Sequence, residues 1–328
     1  MTDWLADLER ALNLHMQGHS AEAVAIGQSL LGRARGTAHA ASVHRHMAEF
    51  LHACGDYDKA RDMAREAGVL ARATRHAGEI LAASLMELTC DLFEGQVAVV
   101  HQQLGDLIEL APGQPTPLAF MATLALTVGN FEQVFDYCEL ARNLVEQHAD
   151  PDDHPELGLF LANLLMLRTK ALLLDDKPGE AATTLEPIFK MVHDQPLPLA
   201  LASGLKGLAW ARSRKGDAGM ELAEQAVKAG RKIGHDLHGH CLCLSGACRI
   251  ELEDEQLATE ELQSACGLLV HALDRQEPQL MLGRIYKKIG RQTDAVEAFH
   301  QATQPSIDTF FGRQAVQSLH DLEGLRSL

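Results

Sequence analysis

A glycine, a polar turn and a small residue one helical turn later recur along this chain, and that recurrence constrains the fold more than any other feature. Four instances read Gly18-His-Ser-Ala-Glu-Ala23, Gly55-Asp-Tyr-Asp-Lys-Ala60, Gly129-Asn-Phe-Glu-Gln-Val134 and Gly290-Arg-Gln-Thr-Asp-Ala295. Glycine ends a helix in the left-handed conformation at little cost, polar residues turn the chain, and a small residue lets the next helix pack closely. Taking the small residue as an anchor extends the series to Ala23, Ala60, Val100, Val134, Ala181, Glu221, Ala258 and Ala295, in steps of 37, 40, 34, 47, 40, 37 and 37 residues. The third, sixth and seventh anchors hold to within one or two positions. Apolar residues between them recur at three- and four-residue spacing, as in Trp4, Leu5, Leu8 and Leu12, without sustained alternating runs. A lone helical hairpin cannot bury its apolar face, so repeated hairpins must stack.

The eighth unit carries the fullest pattern: Leu282-Gly283-x-x-Tyr286, then Gly290, Ala295, Phe299, Ala302 and Pro305. In that order these residues resemble the tetratricopeptide repeat (TPR) family. The second unit (Ala48, Leu51, Gly55, Ala60, Ala64, Ala67) and the first (Ala11, Leu14, Gly18, Ala23, Gly27, Leu30) are degenerate versions. The resemblance implies an all-α fold: a right-handed TPR-like superhelix, or α-solenoid, of about eight helix-turn-helix units over residues 1–305. Gly283 and Ala295 are then expected to let the two helices of a hairpin approach, with Tyr286 and Phe299 filling the wedge between hairpins. Residues 306–328, with Phe310, Phe311, Ala315, Leu319, Leu322 and Leu325, read as an amphipathic C-terminal capping helix. Prolines follow the phasing: Pro112, Pro115, Pro117, Pro196 and Pro198 fall between units, and Pro278 is expected to open the eighth. Pro187 falls inside an expected helix and should kink it. The 47-residue step places an exposed insertion loop at Asp150–Pro155.

Composition narrows the function. Acidic residues number 45 against 29 Lys plus Arg, a formal charge of −16, which argues against nucleic-acid or anionic-membrane partners. Hydrophobic residues at 46% exclude a disordered chain, and aromatics at 5% suit an aliphatic helical core better than a sugar-binding cleft. The N-terminus lacks a signal-peptide pattern, no window approaches eighteen uncharged apolar residues, and seven cysteines make no disulfide framework. A reduced, cytoplasmic protein without membrane insertion is the expectation.

No nucleophile elbow, P-loop, dinucleotide fingerprint or HExxH stands in the chain, so a non-enzymatic protein without cofactors is expected. The sharpest cluster, His235-x-x-His238-x-His240-Cys241-x-Cys243-x4-Cys248, offers the ligand types of zinc or copper, with His238, Cys241 and Cys243 the candidates. Its spacing matches no standard module, and buried thiols beside surface histidines is the simpler expectation. His39, His44, His46 and His52 near Cys54 fit a metal site still less well.

Charge is uneven. Residues 201–235 hold Lys206, Arg212, Arg214, Lys215, Lys228, Arg231 and Lys232 against Asp217, Glu221 and Glu224, between two stretches rich in acids. One expectation is a basic patch in a concave groove, facing an acidic peptide or partner; self-association is a further option. TPR relatives bind with the first helix of each unit. The resemblance thereby nominates Arg45, Glu49 and His52, then Asn163, Lys170, Lys206, Trp210 and Arg214, and finally Arg284, Lys287 and Lys288, although they do not reproduce a two-carboxylate clamp. The expected function is a TPR scaffold or regulator gripping a protein or peptide. The alternative is a ligand- or peptide-responsive sensor of a bacterial signalling system, with a metal protein or enzyme third.

Overall fold

A computed structural model describes residues 3–35, 39–148, 155–213 and 215–326, which form helices joined by short turns, with no strand among them. Successive helices pair as hairpins: α1 (Asp3–Met16) with α2 (Ser20–Ala34), α3 (Ala40–Ala53) with α4 (Tyr57–Thr74), and α5 (Ala77–Phe93) with α6 (Val97–Leu110). These make one compact unit, Met1–Ala111. The second unit, Pro112–Leu328, continues with α7 (Pro115–Thr127) and α8 (Phe131–His148). The fifth hairpin pairs α9 (Pro155–Leu174) with α10 (Pro178–Thr184) and the short α11 (Ile188–Met191). Then come α12 (Pro196–Arg212) with α13 (Gly216–Ile233), α14 (His235–Glu251) with α15 (Glu255–Leu268), and α16 (Ala272–Lys288) with α17 (Gln292–Ala302). A last helix, α18 (Phe310–Arg326), packs on α16 and α17, with Ala315 and Leu322 buried in their core. Both units are of α-solenoid construction.

The turn chemistry accounts for the repeat. Gly18, Gly55, Gly95, Gly129 and Gly290 all have φ between +70° and +85°, and Asp176 and Glu253 take the same left-handed conformation in the fifth and seventh hairpins. Each anchor is the fourth residue of its helix, and its N–H makes the first helical hydrogen bond to the carbonyl of the cap, as from Ala60 to Asp56 (2.9 Å) and from Ala295 to Arg291 (3.0 Å). Ala23, Ala60, Val100, Val134, Ala181, Ala258 and Ala295 are wholly buried. Glu221, by contrast, is exposed; the sixth anchor is Gly219, whose N–H bonds to the Lys215 carbonyl at 2.9 Å. A side chain cannot fit there: a Cβ on Gly219 would stand 2.6 Å from the Gly207 oxygen and 2.7 Å from the Ala211 nitrogen. At this point α12 and α13 touch backbone to backbone.

A second regularity runs sixteen residues apart through the hairpins: Ala11/Gly27, Ala48/Ala64, Leu88/Leu104, Ala122/Cys138, Thr169/Leu185, Gly207/Ala223, Gly246/Leu262 and Gly283/Phe299, all buried. At Gly246 and Gly283 the second member leans over the glycine. A Cβ on Gly246 would meet Leu262 at 2.8 Å, and one on Gly283 would meet Phe299 at 2.5 Å. Gly283 therefore makes room for Phe299 within its own hairpin, and Phe299 shares a buried cluster with Leu242 and Leu262 of the seventh hairpin. Tyr286 reaches a neighbour, its hydroxyl accepting from Gln263 of α15 at 2.8 Å. Leu282, Tyr286, Ala295, Phe299 and Ala302 all belong to one buried cluster, and Gly290 turns at φ +81°.

The prolines diverge in part from expectation. Pro115 and Pro196 open α7 and α12, but Pro278 lies inside α16 rather than at its start. Pro187 ends a helix outright, because the chain passes through a turn at 185–187 between α10 and α11. Of the expected insertion loop, residues 150–154 lie outside the described residues, and Pro155 begins α9. Within α9, Leu157–Leu174 is long and apolar enough by composition to cross a membrane, contrary to the sequence expectation. Here its leucines fill the cores of the fourth to sixth hairpins, and it carries Arg168 and Lys170.

Candidate functional site

In the second unit the first helices of five hairpins, α7, α9, α12, α14 and α16, share the wall of a cavity of about 440 Å³. Its apolar lining includes Leu126, Leu167, Leu201, Leu205, Leu244 and Phe311. A neighbouring cavity of about 370 Å³ shares Lys170, Leu174, Leu205, Leu244, Glu277 and Phe311 and continues to Arg212, Arg284 and Gln314. Both volumes fall in the range of about 300–1,000 Å³ usual for ligand pockets. The segment leading into α18 closes one side. Gln276, 1% exposed, donates to the Ser306 carbonyl and accepts from the Thr309 hydroxyl, both at 2.8 Å. Phe310 lies on Gly129 and meets Phe131 edge-on at 5.4 Å, and Arg313 donates to the Val128 carbonyl at 2.5 Å.

The polar groups around the cavities are largely matched with one another. Lys170 pairs with Glu277 at 2.9 Å and stands 5.9 Å from the Phe311 ring centre. Burial alone would weaken the Lys170 ammonium, but Glu277 outweighs it and raises its pKa. His240 lies 3.5 Å from Asp236 and 3.7 Å from Asp274. Burial depresses the His240 pKa and Lys170 opposes its charge; the hydrogen bond to Asp236 and the field of Asp274 prevail and raise it. Burial pushes the Cys243 thiol, which also faces the larger cavity, well up. Thr123 and Thr127 donate to carbonyls of their own helix at 3.1 and 2.9 Å.

The raised His240 value has a pH consequence. Its stabilising charge is fully present below the ordinary histidine pKa of about 6.5 and is lost as pH rises through the higher folded value. His240 keeps about a third of its surface open, so screening limits the effect to about 0.5–1 kcal/mol. A His240→Gln variant should therefore melt below the wild type at pH 5.5, with the gap closing by pH 8.5. A gap that stays constant across that range would refute the charge on His240.

The residues nominated from the sequence divide. Asn163 and Lys170 line the larger cavity, and Lys170 and Arg284 the smaller. Lys206 does not join them; it bonds Glu186 at 2.8 Å and lies 4.8 and 5.1 Å from the rings of Phe189 and Trp210. Trp210 is half-buried there, with Lys215 5.3 Å from its ring. Lys287 and Lys288 are exposed, and Lys288 pairs with Glu255. Arg214 lies outside the described residues. Among its described residues the basic island does not form a groove patch: Lys228, Arg231 and Lys232 are exposed on α13, a second helix, and of the described members Arg212 alone lines either cavity.

In the first unit Arg45 bonds Glu49 and Glu79 at 2.5 and 2.9 Å, and His46 meets Glu49 at 2.8 Å, so these charges hold α3 to α5. Burial opposes the Glu49 charge, but His46 and Arg45 hold its pKa down. His52 packs between Tyr57 and Phe93 at 5.4 and 4.9 Å.

The three metal candidates separate. Cys241 is wholly buried against Gly230 of α13, its pKa pushed up to about 12 by burial, whereas Cys243 points toward α9 and α16 and His238 is part-exposed. Among the described residues no group of three or more His, Cys, Asp or Glu is placed to hold a metal ion. His240, Asp274, Gln276 and Glu277 were not nominated; helical spacing places Glu277 on the same face as Arg284, seven residues on, and that was the available signal.

The sequence profile of the tetratricopeptide repeat matches residues 41–66, within the second hairpin rather than the eighth. No curated protein matches the sequence. Among solved structures, a Rap protein complexed with Competence and Sporulation Factor superposes with a TM-score of 0.59 at 13% identity, covering 88% of this chain and 86% of that one. A tetratricopeptide repeat protein from Parabacteroides merdae gives 0.51 at 11% identity, over 86% and 98% of the two chains. A signal-transduction ATPase with a tetratricopeptide repeat sensor, from Pyrococcus horikoshii, gives 0.51 at 14% identity, over 86% of this chain but 42% of that one. At these identities the likeness is one of fold.

Proposed function

We propose that this chain, a helical-repeat protein of the tetratricopeptide family, is a non-enzymatic interaction module that receives a segment of a partner protein or peptide in the second unit. The observation that carries the reading is the convergence of five first helices on one apolar-walled cavity with Lys170 and Glu277 at its edge. Stacked hairpins build such surfaces by repetition, and the fold supports protein interaction in general. Seven free cysteines, five of them buried, support placing the protein in a reducing compartment such as the cytoplasm.

A photo-crosslinking residue at Leu167, on the cavity wall, tests this in the native cell; the control position is Lys228 on α13. Leu167 should capture a discrete polypeptide and Lys228 should not. A Trp at Leu201, narrowing the same cavity, should cut the capture about tenfold or more. Equal capture from both positions, or none from Leu167, would sink the reading. A second reading, a ligand-responsive sensor, draws support from the contact that Phe310 and Arg313 make with the α7–α8 turn, since a ligand that displaced them would change the curvature of this unit.

A further inference from the structure

Two charges that line the smaller cavity have no ionic counterpart among the described residues, Asp176 at the α9–α10 turn and Arg284. Of its basic residues, Lys170 is paired with Glu277 at 2.9 Å, and Arg212 with Glu251 at 2.9 Å and the Leu173 carbonyl at 2.6 Å. Arg284, at the mouth, bonds only the amide oxygen of Gln314 and has no carboxylate within ion-pair distance among the described residues. Its guanidinium is exposed to solvent at that mouth, with no acid set against it. A guanidinium has five donors in a planar fork, a geometry that fits a carboxylate with two parallel bonds. Behind it the wall is apolar, formed by Leu205, Leu208, Leu244, Leu280 and Met281.

What fits such a lining follows from its hydrogen bonds. Apart from Asp176 and Arg284 the charged side chains that line it are already paired, so a peptide backbone drawn into the cavity would leave most of its amides unsatisfied, at about 1–3 kcal/mol each. An aliphatic or aromatic side chain carries no such penalty. We infer that the smaller cavity recognises a partner segment that inserts one bulky apolar side chain, keeps its backbone at the mouth, and presents an Asp or Glu carboxylate to Arg284. This rests on the interaction reading above and adds its specificity.

The probe is a pair of hexapeptide pools with a fixed Leu and, two residues away, a fixed Glu in one pool or Gln in the other, the remaining positions drawn from Ala, Ser and Gly. Affinity selection with the full chain should enrich the Glu pool about five- to tenfold over the Gln pool. Arg284→Gln should erase that ratio while keeping residual Gln-pool binding, and Arg284→Lys should retain part of it. Gln314→Leu serves as a second variant if Arg284→Gln melts early. Equal enrichment of the two pools by the wild type overturns the carboxylate assignment and leaves the interaction reading intact. Binding of neither pool also overturns it, and the crosslink at Leu167 then decides the broader reading separately.

Discussion

Leucine in place of Gly219 should cost the second unit about 2–4 kcal/mol, while tryptophan at Glu221, two residues on, should change its stability by less than about 0.5 kcal/mol. The contrast follows from what each position meets. A Cβ on Gly219 collides with the Gly207 oxygen and the Ala211 nitrogen, which are backbone atoms of α12 and cannot swing aside like the end of a side chain. Relief requires moving α12 from α13, which touch backbone to backbone at this point. Glu221 faces solvent. Urea unfolding followed by helical circular dichroism measures both, and a Gly219→Leu variant as stable as wild type would mean that α12 and α13 do not approach this closely.

The second large effect concerns Lys170. Alanine at this position removes the only ion-pair partner of Glu277 among the described residues and leaves a carboxylate that is 14% exposed. Breaking a fully buried pair costs about 3–5 kcal/mol; with Lys170 itself 39% exposed to the cavity, about 1.5–3 kcal/mol is expected. The double variant Lys170→Met, Glu277→Leu should recover most of that loss, because the surrounding wall is leucine and phenylalanine. A thermal-melt cycle over the four proteins reads the coupling. Additive losses in the double variant would show that the two residues act independently.

The repeat was legible because its signals are local. A glycine at positive φ, a cap and an anchor four residues into the helix lie within six positions, so Gly55 to Ala60 or Gly290 to Ala295 states the turn in full. Legibility failed where a different residue fills the same geometric place. Asp176 and Glu253 stand in for the turn glycine, and Gly219, lacking any side chain, takes the anchor place that spacing alone assigns to Glu221. The candidate site was legible only by face. Lys170, Asn163 and Arg284 fall on first helices and were nominated, but pairing Lys170 with Glu277 joins residues over a hundred positions apart, and no local pattern encodes that. Lys206 and Trp210 share the helix that supplies Leu205, yet a rotation of about one residue in register turns them to Phe189 and away from the cavity.

The seat of Phe310 on Gly129 bears on how the second unit comes apart. In an open array of hairpins each repeat touches only its neighbours, and the end repeats peel away first because each loses a single interface. Here the start of α18 spans from the eighth hairpin to the fourth, through Phe310, Phe131 and the bond from Arg313 to Val128. Contacts within this unit therefore run in a closed circuit, and neither end can fray without surrendering a contact at the other. Melting becomes a concerted event, and a ligand that prises α18 from the α7–α8 turn would return the unit to the piecemeal behaviour of an open chain of repeats.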